Sequence, residues 1–191
     1  MAKLYYRYSP MGAGKSIDLL KVAHNYEERG QKVVLLTAEI DNRYGVGKIS
    51  TRIGLSREAY TFNNNMNLYE FIKNIGYIPD CVLVDEAQFL STKHVDELSD
   101  VVDYLDIPVI CYGLRSDFRN ELFDGSKRLL TIADKIEELK TICDCGKKAV
   151  INMRIVDGKI VTKGEQIVIG ESEYKSVCRK CYKERIKNDR N

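Results

Sequence analysis

Leu4-Tyr5-Tyr6-Arg7-Tyr8-Ser9-Pro10-Met11-Gly12-Ala13-Gly14-Lys15-Ser16 runs an apolar-leaning strand into a turn of small residues, and a Lys-Ser pair then opens an amphipathic helix. That order is how a chain holds the phosphates of a nucleotide. Small residues let the backbone approach the anion, successive N–H groups point at it, and the helix N-terminus adds roughly half a positive charge. Lys15 has the reach for β- and γ-phosphates, and the Ser16 hydroxyl can ligate Mg²⁺. Against the pattern G-x-x-x-x-G-K-[ST], Ser9 stands where the first glycine belongs. Pro10 pushes Ser9 towards extended geometry and donates no hydrogen bond, so the phosphate-facing donors are expected from Gly12 to Ser16. The plain alternative is a glycine-rich turn with an incidental Lys-Ser. Its place between a strand and a helix favours the phosphate loop.

Strands and helices go on alternating beyond this stretch. A helix over about Lys15–Arg29 carries Leu19, Val22, Ala23 and Tyr26 on one face, and Gly30 suits its end. Lys32–Ala38 reads as a buried strand. From Asp41 to Arg57 no period is visible, and a loop of that length is expected to be functional or mobile. Leu68–Ile75 reads as a helix and Cys81–Val84 as a strand ending at Asp85-Glu86. Ser91 caps a helix whose Val95, Leu98, Val102 and Leu105 share a face. Pro108–Tyr112 is a further strand, followed by the aromatic loop Leu114–Phe123, a helix near Ser126–Ala133 and a strand near Lys135–Thr141. Such alternation predicts an α/β fold, a mostly parallel sheet with helices on both faces. Ligands bind beyond the carboxyl ends of such strands, where Ser9–Ser16, Asp85–Phe89 and Gly113–Phe123 would converge.

The chain of 191 residues fits one domain of ordinary size, or one with a small appendage. Its 30 basic and 28 acidic residues leave a net charge of +2, which gives no global pull towards nucleic acid or anionic lipid. No apolar run approaches the ~20 residues of a membrane span, and with Met1-Ala2-Lys3 leading straight into the first strand no signal peptide is expected. A cytoplasmic location is expected. The basic stretch Arg179–Arg185 reads as a solvated terminus.

Val82-Leu83-Val84-Asp85-Glu86 is an apolar strand ending in acids, the arrangement in which a carboxylate helps hold Mg²⁺ opposite the phosphate loop. Glu86 is placed to take a proton from an attacking hydroxyl or to orient a water. Solvated turn residues are the alternative, as is a helicase-type ATPase, although such enzymes need a second nucleotide lobe for which little chain remains. Six cysteines without a secretory segment point to thiols or metal. Cys81 and Cys111 read as small buried hydrophobes. Cys143, Cys145, Cys178 and Cys181 pair as C-x-C and C-x-x-C beside hairpin signals such as Asp157-Gly158, and a small lobe poor in apolar residues needs the staple that a structural Zn²⁺ supplies. Four sulfurs leave no open position for a substrate.

The chain resembles the cytosolic (type II) thymidine kinases nearly end to end. The likeness rests on SPMGAGKS at Ser9–Ser16, Ala38-Glu39-Ile40-Asp41-Asn42-Arg43-Tyr44, Ser50-Thr51-Arg52-Ile53-Gly54, VDEAQFL at Val84–Leu90 and YGLRSDFRNELF at Tyr112–Phe123. It continues through TICDCGKKA at Thr141–Ala149 and IVIGESEYKSVCRKCY at Ile167–Tyr182. The resemblance implies a P-loop, RecA-like nucleotide-binding domain over 1–141. A small zinc-binding β lobe over 142–191 would carry a lasso-like lid. It also implies transfer of the ATP γ-phosphate to the 5′-hydroxyl of thymidine, with Glu86 as base. Ser9, Pro10, Met11, Gly12, Ala13, Gly14, Lys15 and Ser16, with Asp85, Glu86, Ala87 and Gln88, would bind ATP. Ser16 and Asp85 would hold Mg²⁺.

Arg43 and Arg52 would neutralise charge on the transferring group, a role suited to a reaction that depends on positioning and electrostatics. Met11, Phe89, Leu114, Phe118, Phe123 and Tyr174 would surround thymine, and backbone groups around Ile167–Tyr174 would read its edges. By the same likeness the chain is expected to be a homotetramer under feedback by the thymidine triphosphate, with no nucleic-acid or membrane partner. It departs from the family pattern at Ser9, in its C-x-C spacing, at Cys181 where many relatives have His, and at Asn120 and Leu122 where Gly and Pro are frequent. Another P-loop phosphotransferase or ATPase, or a zinc-containing nucleic-acid-binding module, is the rival reading.

Overall fold

The computed structural model describes residues 1–41, 43, 45–167 and 172–189. Asn42 and Tyr44 of the second quoted motif, and residues 168–171 of the loop expected to read the base edges, lie outside them. The main sheet has six strands in the order β5-β2-β6-β7-β1-β8, every pairing parallel. These are β1 (Leu4–Tyr8), β2 (Val33–Ala38), β5 (Tyr60–Phe62), β6 (Cys81–Val84), β7 (Val109–Gly113) and β8 (Lys135–Glu138).

Burial on both faces explains the continuous apolar runs. On one face α1 (Lys15–Glu27) sets Leu19, Leu20 and Ala23 against Leu35, Leu83 and Ile110. On the other, α2 (Leu68–Lys73), α3 (Thr92–Leu105) and α4 (Asp124–Ile132) cover Val34, Leu36, Val82 and Val84. Alternate residues of one strand thus serve two cores, with Val82 and Val84 facing one way and Leu83 the other.

Two segments differ from their sequence reading. The stretch from Asp41 to Arg57, expected to lack regular structure, contains a hairpin of β3 (Lys48–Ser50) and β4 (Ser56–Glu58). Its Ile49 is buried with the α1 core. Beyond it β5 adds a sixth parallel strand, too short at three residues to show a period in sequence. The basic C-terminal stretch is not a solvated tail either. It forms α5 (Arg179–Asp189), with Tyr182 in a small core and Arg185 bonded to Asp144 at 3.0 Å.

That small core belongs to a separate antiparallel sheet, β10-β9-β11, made of β9 (Ile151–Val156), β10 (Lys159–Val161) and β11 (Glu173–Val177). Asp157 and Gly158 join β9 to β10 with φ of 48° and 75°, the doubly left-handed turn whose twist matches a tight hairpin. No helix among the described residues is long and apolar enough to cross a membrane.

Candidate functional site

The carboxyl ends of β1, β2, β6 and β7 open into one cavity of about 600 Å³. The turn after β1 forms one wall through Met11–Ser16. Gly12 and Gly14 lie at φ of 72° and 79°, where an L side chain would be strained. Ser9 is buried below, its N–H donating to the Gly113 carbonyl at 3.3 Å and its hydroxyl to the Pro10 carbonyl at 2.9 Å. Lys15 folds back over the turn, its Nζ donating to Ser9 Oγ and to the Pro10 carbonyl, both at 3.1 Å.

The Ser16 hydroxyl donates to Asp85 Oδ2 at 2.7 Å. Burial pushes the Asp85 pKa up to about 7, the Glu86 charge adds to this, and the bonds from Ser16 and the Glu86 N–H oppose it. Burial likewise lowers the pKa of the Lys15 ammonium, against the pull of Glu86 and Asp85. Each group carries a desolvation penalty that a bound cation and polyphosphate would offset. Two hard oxygen donors this close suit Mg²⁺, which takes one or two protein oxygens and completes its shell with phosphate and water.

Glu86 follows β6 at φ 53°, a left-handed conformation that costs a side-chain-bearing residue about 1–2 kcal/mol. Its surroundings hold it there. Oε1 accepts from Arg43 Nη2 at 2.7 Å and Oε2 from the Gln88 side-chain amide, whose own Oε1 accepts from the Leu114 N–H at 3.0 Å. Arg43 also pairs with Asp41 at 2.7 Å. The 3₁₀ turn Ala87–Phe89 that carries Gln88 lies hard against α4, where a Cβ on Gly125 would come within 2.5 Å of the Leu90 carbonyl and 2.8 Å of that of Ala87.

The opposite wall is aromatic. Phe89 and Phe123 meet edge to face with centroids 6.1 Å apart, and the Arg154 guanidinium lies 5.2 Å from the centre of the buried Phe118 ring. Leu114 and Tyr174 join them, and Arg43 and Arg52 line the mouth. Of the residues singled out in sequence, Ser9, Pro10, Asp85 and Ala87 do not line the cavity; Ser9, Asp85 and Ala87 are buried directly behind it. The cavity also holds residues the sequence reading passed over, among them Asp117, Asn152 and Gln166. Asp117 is buried and accepts from Arg119 at 2.9 Å and from Gln166 at 3.1 Å, tying the loop after β7 to the segment that follows β10. Asp117 sits beside Phe118 in a loop that also carries Arg115, Arg119 and Glu121, so its acidity alone gave no distinguishing signal. Asn152, inside an apolar strand, offered only its polarity.

The sulfurs of Cys143, Cys145, Cys178 and Cys181 all lie within 4.8 Å of one another, with Cys145 and Cys178 at 3.6 Å and no disulfide formed. A tetrahedron with Zn–S bonds of about 2.3 Å has edges of about 3.8 Å, so the cluster fits zinc. Gly146, at φ 79°, makes the turn between the first cysteine pair and Lys147, whose carbonyl accepts from the Cys143 N–H at 2.7 Å.

The family model described as thymidine kinase matches residues 2–182. A thymidine kinase of Lactococcus lactis is 53% identical over 184 residues, covering 95% of this chain and 97% of that relative. One from Streptococcus gordonii is 54% identical over 95% of this chain and 96% of its own, and one from Salmonella typhimurium 56% identical over 97% and 93%. Among solved structures, a DNA replication initiation factor aligns over 73% of this chain and 40% of its own at a TM-score of 0.43 and 19% identity, too distant to bear on fold or function.

Proposed function

This chain belongs to the thymidine kinase family and transfers the ATP γ-phosphate to thymidine, and from that premise we propose how its residues do so. The observation that carries the reading is a single cavity holding the phosphate turn, Glu86 and the aromatic wall together. Residues 1–141 bind the triphosphate, with the turn from Ser9 to Ser16 and the segment Asp85–Gln88 around it. Residues 142–191 form a zinc-stapled lobe that holds the lid. Met11, Phe89, Leu114, Phe118, Phe123 and Tyr174 enclose thymine, and the backbone near Ile167–Tyr174 reads its edges.

Glu86 accepts the proton of the 5′-hydroxyl as its oxygen attacks the γ-phosphorus and ADP leaves. Each carboxylate oxygen already accepts one hydrogen bond and keeps a second lone pair for the incoming hydroxyl, and the Arg43 guanidinium is the partner whose charge the transferring group would compete for. Arg43 is the exposed partner and has a second carboxylate in Asp41. It moves from Glu86 towards the transferring group, freeing the base and adding positive charge where negative charge spreads, with Arg52 beside it. Gln88 stays, since the Leu114 N–H fixes its amide. Ser16 and Asp85 would hold Mg²⁺, which supplies charge neutralisation on the phosphates when bound. Four thiolates would hold a structural Zn²⁺, which orders the lobe and takes no part in the chemistry.

A cytoplasmic location, a homotetramer and inhibition by the thymidine triphosphate complete the proposal. ATP, Mg²⁺ and a panel of nucleosides should yield ADP and thymidine 5′-monophosphate. ATP hydrolysis stimulated by nucleic acid, with no phosphorylated nucleoside, would overturn the reading in favour of the ATPase alternative.

A further inference from the structure

Asn152 on β9 and Ser176 on β11 are cross-strand partners, and the next pair on the same face is Arg154 with Tyr174. This face of the small sheet looks into the substrate cavity, where Asn152 and Tyr174 are both part of the lining. The first pair reaches a different place. Asn152 Oδ1 accepts from the Met11 N–H at 2.8 Å, and the Ser176 hydroxyl donates to the Met11 carbonyl at 2.5 Å. Both polar groups of one phosphate-turn residue thus end on side chains of the other sheet.

Elsewhere the turn is tied near its ends, Ser9 to Gly113 and Ser16 to Asp85, and Met11 lies between them. Pro10 lacks an N–H, and Gly12 and Gly14 place no side chain that could pack. Asn152 is itself fixed, because its Nδ2 donates to the Ser116 carbonyl at 3.2 Å. A side-chain amide carries an acceptor oxygen and a donor nitrogen, so Asn152 serves both backbones at once. Asn152 is buried, so losing either bond would leave a polar group unsatisfied.

We propose that Asn152 and Ser176 are positioning residues for the ATP phosphates. They fix Met11, and with it the donors from Gly12 to Ser16, so the small sheet sets the triphosphate side of the site as well as the nucleoside side. The proposal rests on the kinase reading above. It assigns a role to an asparagine in an apolar strand and to a serine one residue ahead of the Val177-Cys178 strand end. Neither residue belongs to the phosphate motif.

Ser176 is the cleaner test, because it does not line the cavity. Full-length Ser176→Ala should raise the KM for ATP about 3- to 10-fold, the scale of one lost hydrogen bond. The KM for thymidine, whose base Met11 also borders, should rise by less than that for ATP, and Ser176→Thr, which keeps the hydroxyl, should restore the ATP value. Amide hydrogen exchange reads the clamp directly: the Met11 N–H of the wild-type chain should exchange slowly, and faster by about tenfold or more in Asn152→Leu.

Unchanged ATP KM in folded Ser176→Ala would overturn the proposal. So would an equal rise in both KM values that Ser176→Thr fails to rescue, which would mark a general structural role. Should the variants not fold, a Met11 amide that exchanges in wild type as fast as an open loop overturns it alone. A wild-type chain that shows the slow exchange and does not phosphorylate thymidine would sink the kinase reading and leave the clamp standing.

Discussion

Glu86 is the residue on which the proposed chemistry turns, and its conformation is one that a free chain would avoid. The left-handed backbone and the two hydrogen bonds on its carboxylate aim it into the cavity, at a cost the surrounding packing absorbs. Replacing it with an isosteric amide tests the assignment. Glu86→Gln should lower kcat by about 10²–10⁴-fold while the affinity for a non-hydrolysable ATP analogue changes little, since a general base contributes on that scale. Near-normal turnover in steady-state assays would remove Glu86 as base. At this scale the sequence was informative about residue type and order, because a phosphate turn and paired acids at strand ends are local patterns. It was silent about partners. Arg43 meets Glu86 across 43 positions, and Met11 meets Asn152 across 141, so no local pattern connects them.

Among the elements, α3 was readable from both its stripe and its cap. Ser91 accepts from the His94 N–H at 3.1 Å while His94 Nδ1 accepts from the Ser91 N–H, a reciprocal cap closed by histidine in place of the usual acid or amide. Ser91→Ala should destabilise the fold by about 1 kcal/mol, lowering the melting temperature by a few degrees with kcat unchanged. A drop in kcat at unchanged stability would show that α3 matters to the site in some other way.

A second element-scale test concerns the sheet edge. Arg7 on β1 bonds Glu137 on β8 at 2.6 Å, and that bond is the leading reason the Glu137 carboxyl titrates below its ordinary 4.5. A depressed carboxylate stabilises the fold above its unfolded pKa and loses that contribution as pH falls through the lower, folded value. Denaturant unfolding from pH 6 down to pH 3 should therefore show a smaller loss of stability in Glu137→Gln than in wild type. Parallel curves would exclude the pair as a source of acid sensitivity. The elements that escaped the sequence reading, β5 and the β3–β4 hairpin, have three-residue strands. A period of two needs more residues than that to be visible, and their pairing comes from β2 and from each other.

For the whole molecule, the question is how two sheets with separate cores make one site. The small core around Ala149, Ile151, Met153 and Val177 is modest, and it includes Cys143 and Cys178 of the four-cysteine cluster. Chelating the metal should loosen β9–β11 and α5, raise the KM for thymidine, and raise that for ATP too, because Met11 is held from the same sheet. Melting curves and both KM values, before chelation, after it and after zinc is restored, test this. A stripped chain with wild-type melting and wild-type KM for both substrates would refute it.

The sequence by itself determined the alternation that makes a parallel sheet, the phosphate turn at its first strand end, the acids at another, and four thiols spaced for a metal. Each is a local consequence of periodicity, small residues or spacing. Only the tertiary structure decided that Arg43 and Gln88 share the Glu86 carboxylate, that a basic C-terminal stretch becomes a packed helix, and that the second sheet grips the phosphate turn. Those contacts join residues far apart along the chain, and their energies depend on burial and geometry that exist only once the two sheets have come together.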